Sequence, residues 1–512
     1  MAYREALNYL SSRTRVIELC NQLGGRVAIC PDWHGRVMTS SCDGLDGYSF
    51  GLVNVQEIDN HDRNKTHSET ATNILHNFES YGGEDQFTLS PDSGIFSIYD
   101  DPVNDSAVQT SGGGAVAKVT SNSNLTLLQN TLLPRFFEDK FITDSEPPEP
   151  EIRMRRSVVF SNRLGTRFDF DISRVVRMLE LEEIAAIFGQ GVAVSLEQTD
   201  TSFVAFQTTN TIINRGLPLM RNSGLVSIKI RNMLNTGIDS VAIIPFRTGK
   251  EIELGPCFGV DLFDLAPHRL FRQLKQAVII RANSKHNCQI GISRNRATPF
   301  LGSVDFRNGN LTLAAFNLPA NAWDYDYLSN AFFEMEVEAS GELESGSGID
   351  FVRTRNNNVY LKNNDLIRQD IERLKPQYNL NNNKNNNNKN KSNNQKTDAD
   401  PSYANKTNGL RQNQNQYQNQ EQNQYQYCNF DSLYSGEVVR VYNQGIADAE
   451  DGSIFRYCEF DVFSAARELL RGESLSHQQH TLHINADNQT LAFIAQEVLG
   501  VNYEQTYEKM LR

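Results

Sequence analysis

The stretch FDFDIS (residues 168–173) decides the fold class, because three apolar side chains alternate in it with three polar ones. Successive side chains of a β-strand point to opposite faces, so this spacing predicts a strand with one face buried and one wet. The pattern recurs at Val192, Val194 and Leu196, at Val226, Ile228 and Ile230, over 311–316, and at Phe333, Met335 and Val337. Val278, Ile279 and Ile280 lead across a polar turn to Ile290 and Ile292, which reads as another strand pair. Upstream, residues 15–19 and 26–30 flank NQLGG as a hairpin, and Val37 and Met38 form a brief strand. Helical spacing is confined to 4–12, a turn near Glu183, and 489–499. Many short strands joined by turns, with no regular βαβ alternation and no fixed repeat, predict an all-β chain of large antiparallel sheets.

Composition changes abruptly within the 512 residues. Between 345 and 431 the strand pattern stops, and 379–427 is dominated by Asn, Gln and Lys. Such a tract cannot bury enough apolar area to offset its chain entropy, so it is expected to be disordered and prone to self-association. Strand patterning resumes at 437–442 and 455–463. The tract therefore reads as an insertion into one discontinuous domain, 1–344 with 432–512, because loop closure grows only logarithmically with length. Residues 59–77 and 100–124 read as polar loops, and 144–150 as an acidic connector.

The net charge of −13 and the lack of a basic stripe argue against a nucleic-acid partner. No apolar run reaches the roughly 18 residues needed to cross a membrane, and the first residues hold no secretory apolar core, so the expected location is cytoplasmic. Seven cysteines without regular spacing fit reduced thiols. P-loop, GxGxxG, GxSxG and HExxH motifs are lacking, so no cofactor is expected. His477, His480 and His483 form HxxHxxH. On a strand the first and last share a face but lie ~20 Å apart, too far for one metal ion. Arg294 and Arg296 read as a solvated basic face.

YGGEDQFTLSPDSGIFSIY (81–99) places Glu84 and Asp85 directly after two glycines. Neighbours on a regular strand point to opposite faces, so one of the two is expected in a cleft and the other in solvent.

Taken in order, several stretches resemble an uncharacterised bacterial family of galactose-mutarotase-like proteins. They are GGRVAICPDWHGRVMTSS (24–41), YGGEDQFTLSP (81–91), FQTTNTIINRG (206–216), SGLVSIKI (223–230), RVYNQG (440–445), YCEFDVFSAARELLRGESLSHQQHTLH (457–483) and TLAFIAQ (490–496). The resemblance spans about 14–336 and 432–502. It implies a β-supersandwich with a carbohydrate cleft on its concave face, hence a saccharide ligand. In mutarotases a late-strand glutamate is the base, which points here to Glu459 or Asp461. The mutarotase acid is a histidine after an asparagine. Here Arg215 follows Asn214, and arginine stays protonated, so His477 or His34 is the replacement acid. Trp33 is the expected stacking ring, and His34, Arg36, Glu84, Asp85, Asn210, Asn214, Tyr442 and Asn443 the polar clamps. Gln86 and Thr88 stand where the family carries arginine and tryptophan. The expectation is a carbohydrate-binding protein of mutarotase-like fold, extending to a sugar epimerase or mutarotase, with all these groups on one curved surface. The alternatives are a non-catalytic carbohydrate-binding or structural protein, and a lyase or hydrolase on the same scaffold.

Overall fold

Alternating sequence builds two large antiparallel sheets in the computed structural model, with few and short helices. The structure describes residues 1–60, 81–92, 96–98, 142–143, 151–162, 165–198, 200–237, 239–262, 270–282, 288–329, 433–444 and 457–502. The Asn/Gln-rich stretch 345–431, the strand read at 333–337, the loop 100–124, the connector 144–150 and most of 59–77 lie outside them. Met1–Ala331 with Leu433–Arg512 makes one compact unit. The six described cysteines are all free thiols. No helix among the described residues is long and apolar enough to cross a membrane.

Helix α1 (Tyr3–Ser11) precedes a meander of β1 (Ile17–Cys20), β2 (Arg26–Cys30), β3 (Arg36–Ser41) and β4 (Gly83–Ser90). The chain then enters the second sheet with β5 (Ile142–Thr143), β6 (Glu151–Ser161) and β7 (Arg167–Met178), followed by helices α2 (Leu181–Phe188) and α3 (Gln190–Leu196). Strands β8 (Ser202–Asn214), β9 (Ser227–Asn235), β10 (Ser240–Pro245), β11 (Gly259–Leu262), β12 (Phe271–Gln273) and β13 (Ala277–Arg281) follow. Next come β14 (Cys288–Ser293), β15 (Phe300–Asp305), β16 (Asn310–Phe316), β17 (Glu437–Gln444), β18 (Tyr457–Phe463) and β19 (Ser474–Asn485), and α4 (Asn488–Leu499) closes the series. One sheet runs β1-β2-β3-β4-β9-β18-β17-β14-β11, the other β12-β13-β10-β15-β16-β19-β8-β7-β6-β5.

Each strand divides its side chains between two layers. Between the sheets, Ile244, Val278, Ile280 and Leu301 pack against Ile290, Ile292, Val441, Cys458, Phe460 and Val462. On the far side of the ten-stranded sheet, Phe203, Ile243, Ile279, Leu313, Leu482 and Ile484 pack under Ile184, Val192, Leu196, Leu491 and Ile494 of the helices. Each such side chain contributes about 1.5–3 kcal/mol of burial. Asp487 caps α4 by accepting from the Gln489 and Thr490 amides at 2.8 and 3.1 Å, and Gly500 ends it in the left-handed region.

Two expectations are corrected here. Val192, Val194 and Leu196 lie on helix α3 and not on a strand. The buried set is Val192, Ala193 and Leu196, a helical spacing, while Val194 is 53% exposed. The runs 278–280 and 290–292 do not pair. β13 and β14 belong to different sheets, because each run is flanked by strands of equal apolarity from other parts of the chain.

A third correction concerns Glu84 and Asp85, both fully buried and both directed toward the ten-stranded sheet. Gly83 pairs with Met233 and Gln86 with Arg231, so β4 carries one residue more than β9 over that interval. This β-bulge breaks the alternation and turns two consecutive acids the same way. Asp85 meets Arg174 of β7 at 2.6 Å with neither side chain exposed. Its other oxygen accepts from Thr208 Oγ1 at 2.8 Å. Arg174 also donates to the Gly35 carbonyl at 2.7 Å and the Asp85 carbonyl at 2.9 Å. Beside it, Glu84 lies 3.4 Å from His483 Nε2, while His483 Nδ1 is 2.9 Å from Thr312 Oγ1 and its ring stacks on Phe50.

Losing one partner of a buried ion pair leaves the other charge uncompensated. Asp85→Asn is therefore expected to cost about 3–5 kcal/mol in urea unfolding. The pair Asp85→Leu/Arg174→Met should recover most of that loss. His477, buried and without a hydrogen-bond partner, has its pKa lowered by burial to about 3. The unfolded chain then binds a proton that the folded chain refuses, so stability present above pH 6.5 is lost as pH falls toward 3, by up to about 1.4 kcal/mol per pH unit. His477→Leu should flatten the pH dependence of the unfolding midpoint between pH 6.5 and 5.

Candidate functional site

The nine-stranded sheet has a second face, away from the ten-stranded sheet, and alternation loads it with charge. Cys458, Phe460 and Val462 of β18 face the inter-sheet core, so Glu459 and Asp461 face outward. The apolar residues Ile228 and Ile230 of β9 leave Lys229 and Arg231 on that same outer face, and Val439 and Val441 of β17 leave Arg440 and Tyr442 there. Register then lines up Gln86, Arg231, Asp461 and Arg440 across four neighbouring strands. The adjoining row holds Met233, Glu459 and Tyr442.

Arg231 bridges both carboxylates, with its Nε 3.1 Å from Glu459 and 3.2 Å from Asp461. Arg440 lies 4.0 Å from Asp461 and 3.1 Å from Glu437. Lys229 meets Asp92 at 2.7 Å. Burial opposes ionisation of Asp461, but Arg231, Lys229 and Arg440 outweigh it and hold the carboxyl below its usual range. Gln86 is the contrast within this row. Its side chain is fully buried, and neither its amide nitrogen nor its oxygen has a hydrogen-bond partner. Leu52, Met233, Tyr442 and Tyr457 form an apolar border on the same face.

The residues expected on one curved surface fall into separate places, and the cause is strand alternation plus the bulge. Glu459, Asp461 and Tyr442 share the outer face, whereas Asn443 points the other way. Glu84, Asp85, Asn210 and His477 lie between the sheets. Asn210 accepts from Arg174 and stands beside His477 across the β8–β19 pair. His477 is thus on the opposite side of the nine-stranded sheet from Glu459, and the two form no acid–base pair. Asn214 is at the end of β8, where its side chain donates to the Leu217 and Leu469 carbonyls and accepts from the Gly216 amide. It secures a turn. Trp33 packs edge-on against Tyr81 at 4.9 Å in a small core with Ala6 and Leu10. Arg36 is buried and donates to the Trp33 and Gly82 carbonyls, beside His34 at φ 63°. Arg296 is buried too, donating to the Gly255, Arg247 and Gly249 carbonyls, which replaces the solvated basic face read from the sequence.

Sequence reasoning did not single out Arg231, Lys229 or Arg440, and it treated Gln86 only as a departure from a pattern. The signal was present. In SIKIR the charged residues occupy the polar positions of a strand whose other positions are apolar. Among the described residues no group of three or more His, Cys, Asp or Glu side chains could hold a metal ion. Chemically, the row offers the carboxylate of Asp461, held in its ionised form, two guanidiniums that stay protonated and one uncommitted amide.

Among solved structures, the chain is similar to a galactose mutarotase related enzyme from Lactobacillus acidophilus, at 6% identity and a TM-score of 0.36, covering 93% of this chain and 99% of that one. It is also similar to a galactose mutarotase-like protein from Lactobacillus casei, at 7% identity and 0.35, covering 92% and 99%. A protein from Synechocystis sp. PCC 6803 gives 9% identity and 0.38, covering 93% and 97%. No curated protein sequence matches the chain significantly. Residues 1–112, 120–343 and 392–510 match one family, and on that match over most of its length the chain belongs to a family of unknown function (DUF6786).

Proposed function

We propose that the protein binds a saccharide on the outer face of the nine-stranded sheet, at Gln86, Arg231, Glu459 and Asp461, and does not turn it over. The observation that carries this reading is Gln86, a buried amide with neither end hydrogen-bonded, directly across from the arginine that bridges two carboxylates. A buried amide without partners is costly, and a ligand that supplies both a donor and an acceptor relieves that cost. Vicinal sugar hydroxyls do so, and Arg231 with its two carboxylates offers further paired hydrogen bonds beside it. The apolar border of Leu52, Met233, Tyr442 and Tyr457 suits the C–H face of a sugar ring.

Mutarotation needs a proton donor near neutrality as well as a base. The β19 imidazoles lie on the other sheet, and among the described residues the cation within 3.2 Å of both Glu459 and Asp461 is Arg231, which does not release its proton. Binding alone is the simpler use of this geometry.

Saturation-transfer difference NMR with D-glucose and D-galactose tests the reading. Signals are expected with the wild type and should weaken at least about fivefold in affinity in Gln86→Ala, the loss of two neutral hydrogen bonds. Anomers should interconvert at the spontaneous rate in both. Absence of any signal with the wild type, or equal signals in Gln86→Ala, would overturn the site. Catalysed anomer exchange abolished in Glu459→Gln would establish a mutarotase instead.

A further inference from the structure

We propose that a water molecule is built into the space between the two sheets, bridging Asn210, His477 and Gln479 beside the Asp85–Arg174 pair. This site is separate from the saccharide face, which lies on the other side of the nine-stranded sheet.

Register brings the three side chains together. Asn210 of β8 and His477 of β19 are directly opposite each other, and Gln479 follows two residues along β19, across from Thr208. Directly opposed residues of an antiparallel pair hold their Cβ atoms about 5 Å apart, and residues two apart on a strand share a face. That face is turned to the nine-stranded sheet, where Asn210 and Gln479 reach the same ion pair from its two ends. Asn210 Oδ1 accepts from Arg174 at 2.5 Å, which leaves its Nδ2 group over. Gln479 Nε2 lies 3.5 Å from Asp85 and 3.4 Å from Thr481 Oγ1, which leaves its Oε1 over. Neither of these ends has a hydrogen-bond partner, and neither ring nitrogen of His477 has one. Phe316, with its ring centre 6.4 Å from that of His477, offers none.

The three side chains thus present a donor, an acceptor and an imidazole that is one of each when neutral. Burial keeps His477 neutral, lowering its pKa to about 3. Polar groups buried alone are costly, and buried water typically makes about three hydrogen bonds to groups of this kind. One water accepts from Asn210 Nδ2, donates to Gln479 Oε1 and pairs with His477 through its remaining hydrogen or lone pair. Asn210, His477, Gln479, Asp85, Arg174 and Thr208 are each at most 1% exposed, so no opening wide enough for a larger molecule reaches them. An ion is disfavoured, because Asp85 and Arg174 already offset each other and the three remaining groups bring no charge to offset its own.

Water–protein Overhauser spectroscopy of the full chain with nitrogen-15 asparagine tests the site. In the wild type a rotating-frame cross-peak between water and the Asn210 side-chain amide is expected, opposite in sign to the exchange peaks. It should weaken at least about fivefold in His477→Leu and in Gln479→Leu, each of which removes one of the water's hydrogen bonds. Oxygen-17 relaxation dispersion should lose the contribution of one long-lived water per chain in the same variants. No such cross-peak in the wild type would overturn the site, whether or not the variants fold. A cross-peak and a dispersion both unchanged in either folded variant would overturn the bridge.

Discussion

Asp85 and Arg174 meet between the two sheets with no exposure to water, and the arrangement of the rest follows from that contact. Arg174 does more than neutralise the acid. It reaches back to the Gly35 carbonyl and to Asn210, so one guanidinium ties the β2–β3 turn, β4, β7 and β8 together. Taking two charges out of water is expensive, and the cost is recovered only where geometry is good and the remaining donors and acceptors are used. Thr208 at 2.8 Å and the two backbone carbonyls meet that requirement here. At the other end of the inter-sheet space the layer is apolar, with Ile280, Ile290, Val441 and Phe460 in contact.

The bulge that delivers Asp85 to Arg174 also fixes what lies on the other face. After it, Phe87 and Leu89 pair with Ile230 and Ile228 and enter the core, while Gln86 and Thr88 pair with Arg231 and Lys229 and face outward. Remove the extra residue and every side chain from Gly83 back would change sides relative to Gln86. The structural pair and the polar row are thus two results of one irregularity. They stand on opposite sides of the same sheet, so each can be perturbed without direct contact with the other.

Much of this architecture was legible in the sequence, for stated physical reasons. Phe168, Phe170 and Ile172 alternate with polar residues, and β7 buries them as expected. The hairpin of β1 and β2 was likewise readable from its Asn-Gln-Leu-Gly-Gly turn, and helices α1 and α4 from their helical spacing. Val192-Ala-Val-Ser-Leu196 was not, because two valines two apart satisfy a strand pattern while the full set of buried positions satisfies a helix. Pairing across sheets was also beyond local reading, since 278–280 and 290–292 carry no mark of which sheet receives them. For the site, Glu459 and Asp461 were named as candidate bases, but Arg231 was not singled out. Nothing local distinguishes a solvated arginine from one that bridges two carboxylates contributed more than two hundred residues later. The facing of Glu84 and Asp85 needed the bulge, which shows only in the register with β9.

Among the described strands β19 is the last in the chain and yet lies between β16 and β8, near the middle of the ten-stranded sheet. Strand β18 likewise separates β9 from β17 in the other sheet. A chain emerging from the ribosome therefore holds both sheets open along their centres until residues 457–485 arrive, with β8 and β16 exposing unpaired backbone edges meanwhile. Such edges are templates for pairing with a neighbouring chain. Contacts of this sequence separation also close slowly, because the entropy of the long intervening loops is spent before any of them forms. Nascent copies of the chain are therefore expected to be most open to pairing with one another before residues 457–485 are added.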